Sequence, residues 1–342
     1  MIRLPSLILM AFAAWSGWVQ APTAGTVENL VRAVRSGLQA RQSDEKIAHA
    51  IEAIHLTERL DDEVIEQLQA EGAERLATDA LERQRDVSYW LPPPASRLRL
   101  FDAPAAPSAE EQSRVLEQAR AWAILYMETL PGFLCAEEVS RYTKRKGPAP
   151  WKKAETLKWE AGYADRKDYL KLVAINGRPT QRKSTHGAMS GGEFGGIMST
   201  VFRPETEAKF QWSRWSNLRR RPTYVFSYSM DPKHKVFGLT SSGKDASRRA
   251  VTALRGFVYI DGETHHIMQI IYDADGIPSD FPIRGFHTVV DYGYVEIGGE
   301  EFLLPGRSTT WLLEKDVIFR NVTEFVNYRK FTSEVKIEFE KQ

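Results

Sequence analysis

The chain has 342 residues, 42% apolar and 27% charged, with Lys plus Arg at 46 against Asp plus Glu at 45. That length suits two domains, and the composition is that of a folded globular chain. The near-neutral balance excludes the cationic surplus that polyanion binding needs, so no nucleic-acid partner is expected.

The N-terminal stretch "MIRLPSLILMAFAAWSGWVQA" has one basic residue, Arg3, an apolar run from Leu4 to Val19, and small residues before the end of the run. This predicts a signal peptide over 1–21, cleaved after Ala21, and a periplasmic or secreted protein. No later segment is long and apolar enough to span a bilayer, so no transmembrane segment is expected after cleavage. The only cysteine, Cys135, lies among apolar neighbours in "GFLCAEEVSRY" and is expected to be a buried, inert thiol.

Residues 26–90 read as a small helical domain. Val27, Leu30, Val31, Val34 and Leu38 fall on one helical face, and Ile47, Ala50, Ile51 and Ile54 repeat the pattern behind a cap at Ser43 or Asp44. A third helix opens at Asp61 or Asp62 and closes at Gly72, and a fourth spans about 74–87. Helices this short are marginal alone and must pack as a bundle. The five prolines between 91 and 108 predict a linker. Ser108 then opens a helix running to about Leu130.

From Pro131 the period of the apolar residues changes to two, as in strands. Asn176-Gly177 and Gly298-Gly299 are two-residue hairpin signals, and Pro305 predicts an edge or a bulge. Strands joined by tight turns make an antiparallel sheet over 109–342. One helix interrupts it. Ser190 and Glu193 form a capping box, and Phe194, Ile197, Met198, Val201 and Phe202 follow at helical spacing, so the helix is placed at 190–202.

His265 and His266 are read as strand neighbours after an Asp261-Gly262 turn. Adjacent strand residues point to opposite faces, so the pair is not expected to hold a metal. The A-x-S-x-G pattern around Ser190 resembles a nucleophile elbow, but the polar residues before it cannot form the buried strand that an elbow needs. His287 and Asp291 have no evident tie to Ser190. The paired carboxylates Asp61-Asp62, Glu137-Glu138 and Glu300-Glu301 read as solvated faces, and Asp273, Asp275 and Asp280 read as a turn, since position twelve of a calcium loop would be Arg284. The titratable groups are therefore expected to be scattered. "QWSRWSNLRRRP" interleaves Trp212 and Trp215 with arginines. It reads as a basic corner anchored by its tryptophans or as a contact for an anionic lipid head group or acidic protein. The Asn321 sequon falls in a strand and is set aside.

"GFVYIDGETHHIMQI", "GIPSDFPI", "VDYGYVEIGGEEFLLP", "RNVTEFVNYRKF" and "EVKIEF", with "AIHLTERLDDEVIEQLQAEGA" and "YWLPPP", resemble a family of uncharacterised exported proteins from acidobacteria. The pattern G-x-V-x-I-D…T…I-x-x-I is also similar, more distantly, to lipoprotein carriers of the LolA type and to the periplasmic sensor RseB. That resemblance implies an unclosed antiparallel half-barrel with helices as a lid over an apolar cavity, and it carries no catalytic residues. The expectation is thus an α+β protein, a small helical bundle plus a curved, LolA-like antiparallel sheet covered by helices. Its expected role is non-enzymatic: holding a lipid, lipoprotein or peptide in an apolar groove lined by Phe194, Ile197, Met198 and Phe202, with Trp212 and Trp215 as further contacts. No cofactor or metal is expected. Two alternatives stand beside this, a structural or protein-interaction module of the cell envelope and a serine hydrolase using Ser190.

Overall fold

The computed structural model describes residues 23–94, 105–145, 151–164, 167–182, 192–219, 221–231, 233–234, 236–242 and 247–331. The signal-peptide segment and Ser190 lie outside the described residues. Among those described, no helix is long and apolar enough to cross a membrane. The chain divides into two compact units, Met1–Asp102 and Ala103–Gln342.

In the first unit β1 (Thr23–Gly25) leads to α1 (Val27–Gln39), α2 (Asp44–Glu52), β2 (Ile54–Leu56), α3 (Asp62–Ala70) and α4 (Arg75–Ser88). Val27, Leu30, Val31 and Val34 are buried against Ile47, Ile51, Val64, Leu68 and Leu81. Thr26 caps α1, its Oγ1 accepting from the Asn29 amide at 3.3 Å. Asp44 acts differently from the expectation. Its carboxylate accepts from the amides of Leu76 and Ala77 at 2.7 and 3.0 Å, so it satisfies the open N-terminus of α4 rather than that of its own helix. Ile54 is not helical. Gln84 Nε2 donates to the carbonyls of Ile51 and Ile54 at 2.9 and 2.8 Å, and the chain leaves the helix there to pair in parallel with β1.

The expected linker ends lie close to folded structure on both sides. Pro92 accepts from the Arg59 amide at 2.8 Å within the first unit. Ala105 accepts from Trp215 Nε1 at 3.0 Å within the second.

The second unit opens with α5 (Ala109–Thr129), capped by Ser108, whose Oγ accepts from the Glu111 amide at 3.1 Å. It continues with β3 (Phe133–Arg145), β4 (Lys152–Ala164), β5 (Lys167–Ile175), β6 (Arg178–Pro179) and α6 (Gly196–Phe202). The remaining strands are β7 (Lys209–Leu218), β8 (Arg221–Ser229), β9 (Phe237–Ser242), β10 (Ser247–Asp261), β11 (Ile267–Asp275), β12 (Ile283–Ile297), β13 (Glu300–Glu314) and β14 (Val317–Lys330). The sheet order is β6-β5-β4-β3-β14-β13-β12-β11-β10-β8-β7, with β9 beside β10 and every pairing antiparallel. The protein is α+β with a large open sheet. The sheet is unclosed, as expected, but uncurled rather than rolled into a half-barrel.

The turn chemistry explains the register. Asn176 and Gly177 take φ of 50° and 73°, and Gly298 and Gly299 take 65° and 88°, the left-handed pairs that tight hairpins require. Pro305 lies at a register shift opposite Asp291 and Tyr292, so this mid-sheet strand accommodates it at a bulge.

One face of the sheet carries α5 and α6. Val115, Ala119 and Ala123 of α5 and Ile197, Met198, Val201 and Phe202 of α6 close over Phe226, Val258, Ile260, Ile270 and Val290. Toward β3 and β4 the same face continues with Phe133, Cys135, Ala161, Tyr163, Phe194 and Phe325. The opposite face has its own buried group, Val225, Tyr259, Ile271, Val289 and Trp311.

Candidate functional site

α6 starts six residues later than Ser190. Gly192 has φ of +91°, and glycines at 195 and 196 weaken any helix through this run. The turn at 193–195 is held by tyrosines instead of a helical ladder. Tyr126 of α5 donates its hydroxyl to the Phe194 carbonyl at 2.9 Å, and Tyr292 of β12 donates to the Glu193 carbonyl at 3.0 Å. Both tyrosines are buried, and burial pushes both phenols well above their ordinary pKa, so they remain donors.

This turn leaves a cleft of ≈ 470 Å³. It is lined by Ile124, Met127 and Glu128 from the last turns of α5, by Tyr163 of β4 and Asp168 of β5, by Gly195, Gly196 and Ser199, taken as its floor, and by Arg203, Pro204 and Glu205. The glycines make the room. A β-carbon built on Gly195 or Gly196 meets no atom within 4 Å.

Behind the cleft lies the feature that contradicts the expected scatter of titratable groups. Glu137 of β3 points to the same face as Cys135 and Val139 and sits between Trp159 of β4 and Phe325 of β14. Desolvation there raises its pKa to about 8, and the charges of Glu193 and Asp168 add to the rise. Asp168, at the exposed rim, is raised to about 6, first by desolvation and then by Glu193. Three carboxyl groups from two strands and a turn thus lie within electrostatic reach of one another. Glu138, the sequence neighbour of Glu137, turns the other way and pairs with Lys158 at 2.9 Å on the surface. Among the described residues no group of three His, Cys, Asp or Glu side chains is placed to hold a metal.

The residues singled out from sequence are placed as follows. Ile197, Met198 and Phe202 are 4%, 0% and 1% exposed in the main core, and Phe194 is 3% exposed in the neighbouring cluster, edge-on to Phe133 at 5.1 Å and to Phe325 at 5.5 Å. None of them lines the cleft. α6 turns its apolar side to the sheet and its Gly-Ser side to the opening. Trp212 and Trp215 lie on β7, and a bulge after Trp212 brings both to one face, 5.2 Å apart and against Phe226 and Tyr224. The arginines beside them are occupied. Arg214 donates to the Tyr259 hydroxyl at 2.8 Å, Arg219 to Asp291 at 2.6 Å, and Arg221 to both oxygens of Asp261.

His265 and His266 are not in a strand. The hairpin between β10 and β11 is a wider turn in which the Asp261 carboxylate accepts from the amides of Glu263 and Thr264 at 3.1 and 2.9 Å. His265 takes φ of +57°, and His266 stacks on Trp122 at 4.8 Å with Nδ1 2.9 Å from the Tyr294 hydroxyl. His287 lies with Nδ1 3.0 Å from Asp273, and Asp291 is engaged by Arg219 and Gln269. Burial pushes the Cys135 thiol far up, the condition of an unreactive cysteine. Asn321 is 6% exposed within β14.

No family model matches the sequence, and no curated protein does. Two solved structures are similar in arrangement. A DUF1329 family protein from Desulfovibrio piger aligns with TM-score 0.30 and 9% identity over 66% of this chain and 94% of its own. An outer membrane lipoprotein-sorting protein domain from Vibrio parahaemolyticus aligns with TM-score 0.33 and 11% identity over 65% and 94%.

Proposed function

We propose that the 103–342 unit is a non-enzymatic binding module that holds a small amphipathic molecule of the lipid class in the cleft between α5, α6 and the β4–β5 edge. The observation that carries this reading is the glycine floor, a 470 Å³ space beside a helix whose apolar side chains Ile197, Met198, Val201 and Phe202 are closed into the core. A cavity of that size falls in the range of small-molecule sites, and its lining combines apolar with charged side chains. The six side chains expected to line a groove serve here as the backing. Ile197, Met198 and Phe202 fix α6, Phe194 fixes the turn before it, and Trp212 and Trp215 close the far end of the same face.

Binding rather than catalysis fits the chemistry of these groups. Glu137 carries a proton at neutral pH, and the hydroxyls of Tyr126 and Tyr292 are committed to backbone carbonyls. Such groups donate hydrogen bonds and hold shape. The apolar segment 4–19 supports export to the periplasm or beyond, where envelope lipids or lipoproteins would supply the ligand.

Gly196→Phe is the test, since Gly196 lines the cleft and a β-carbon there meets no atom within 4 Å. Native mass spectrometry of the full chain purified from the cell envelope is expected to show an added lipid-sized mass, and Gly196→Phe is expected to abolish it with the thermal transition unchanged. A bare mass for the parent protein, or an adduct untouched by the ring, would overturn the reading.

A further inference from the structure

The cleft has a charge as well as a volume. Its lining includes three acidic residues, Glu128, Asp168 and Glu205, and one basic residue, Arg203, three negative charges to one positive. Among the described residues none of these four takes part in an ion pair, so the imbalance faces the opening. α5 adds to it. Its last turn, which supplies Met127 and Glu128, contains no basic side chain, so the negative end of a 21-residue helix dipole lies at the rim without a compensating cation. Ile124, Met127 and Pro204 offer apolar contact beside these charges.

We infer that the ligand is a cationic amphiphile, an ammonium head on an apolar chain, with the head between Glu128, Asp168 and Glu205 and the chain against Ile124 and Met127. The inference rests on the binding reading above and narrows it to one sign of charge. Anionic lipids and free fatty acids are disfavoured, because an anionic head placed there would add like charge to a rim with a net of two negative charges. A cation completes pairs that the fold leaves open, with water partly excluded by the cleft walls.

The experiment is a calorimetric titration of the full chain at low ionic strength with decyltrimethylammonium and with decyl sulfate. The two share a chain length, and both are kept below their micelle concentrations. The ammonium is expected to bind about tenfold or more tightly than the sulfate, a preference that shrinks with added salt. In the double variant Glu128→Gln, Glu205→Gln the preference is expected to fall several-fold while decyl-chain binding persists. Equal or tighter sulfate binding, or an undiminished preference in the double variant, would overturn the charge assignment and leave the binding reading standing. No binding of either amphiphile, or binding that Gly196→Phe does not reduce, would remove the binding reading itself.

Discussion

Two regions lie beneath the same pair of helices and differ in how they use them. Over β8–β12 the side chains of α5 and α6 pack on the sheet, and Met198, Phe226, Val258, Ile260 and Val290 are all 0% exposed. Over β3–β5 the face is closed around Phe133, Ala161 and Phe194 but opens beside Tyr163 and Asp168 into the cleft at Gly195 and Gly196, and a carboxyl group, Glu137, occupies a position where alternation would place an apolar side chain. The first region converts burial into stability. The second gives up part of that gain, since an empty volume forfeits contacts and the half-buried Glu137 carboxyl costs desolvation. Sites that must admit a ligand are built in this second manner, and the contrast between the regions is what the following substitutions measure.

The largest effect is expected where the packing is closed. Phe202 is 1% exposed and stacks on Phe210 at 5.5 Å. Phe202→Ala is expected to cost about 3–5 kcal/mol, the usual cost of a large-to-small change in a dry core. Ile124→Ala, in the cleft lining and only partly buried, is expected to cost under about 1.5 kcal/mol, because the lost methylenes already face an opening. Urea unfolding followed by the tryptophans of the sheet unit reads both. Equal losses would mean that the two regions are packed alike.

Glu137 sharpens the comparison through pH. Its folded-state pKa of about 8 lies above the ordinary 4.5, so between those values the folded protein holds a proton that the unfolded chain has released. Its contribution is therefore fully present below about pH 4.5 and is lost as pH rises through about 8. Glu137→Gln mimics the protonated group. It is expected to leave stability unchanged near pH 4, to raise it on the order of 2–4 kcal/mol near pH 9, and to flatten the decline between. A gain independent of pH would show that Glu137 is solvated in the folded protein.

The local structure was largely legible because it depends on short-range chemistry. Ser108 caps its helix, Asn176-Gly177 and Gly298-Gly299 turn their hairpins, and Pro305 sits at a bulge. Each follows from properties of a few adjacent residues. The cleft was not read, although part of its signal was present. Phe133, Cys135, Glu137 and Val139 share one strand face, as do Asp168, Leu170 and Leu172, so alternation alone puts two carboxylates on apolar faces. Treating Glu137 and Glu138 as a pair obscured this, because what matters on a strand is the residue two positions away. That the two faces meet beneath Glu193 depends on the order β5-β4-β3 and on where Tyr126 and Tyr292 fix the turn, which is long-range information. The same limit applies to Asp44, whose service to α4 bridges more than thirty residues, and to α6, whose late start is decided by partners on α5 and β12.

The smallest expected effect bears most directly on why the second region is open. Gly196 is the first residue of α6, exposed, with a conformation that any residue can take and space for a β-carbon. Alanine there should stabilise the unit by about 0.5 kcal/mol, through a better helix former and a less flexible unfolded chain. On stability grounds the glycine is therefore a small loss, and its presence is explained by the room it leaves above the floor. Gly196→Ala is expected to raise the unfolding midpoint slightly while weakening the binding of a decyl chain, whereas the same change at Gly293, a β12 residue outside the cleft lining where a β-carbon also meets no atom within 4 Å, should weaken no binding. If Gly196→Ala left ligand affinity intact, the openness of the floor would have no role in binding, and the difference between the two regions would be one of packing quality alone.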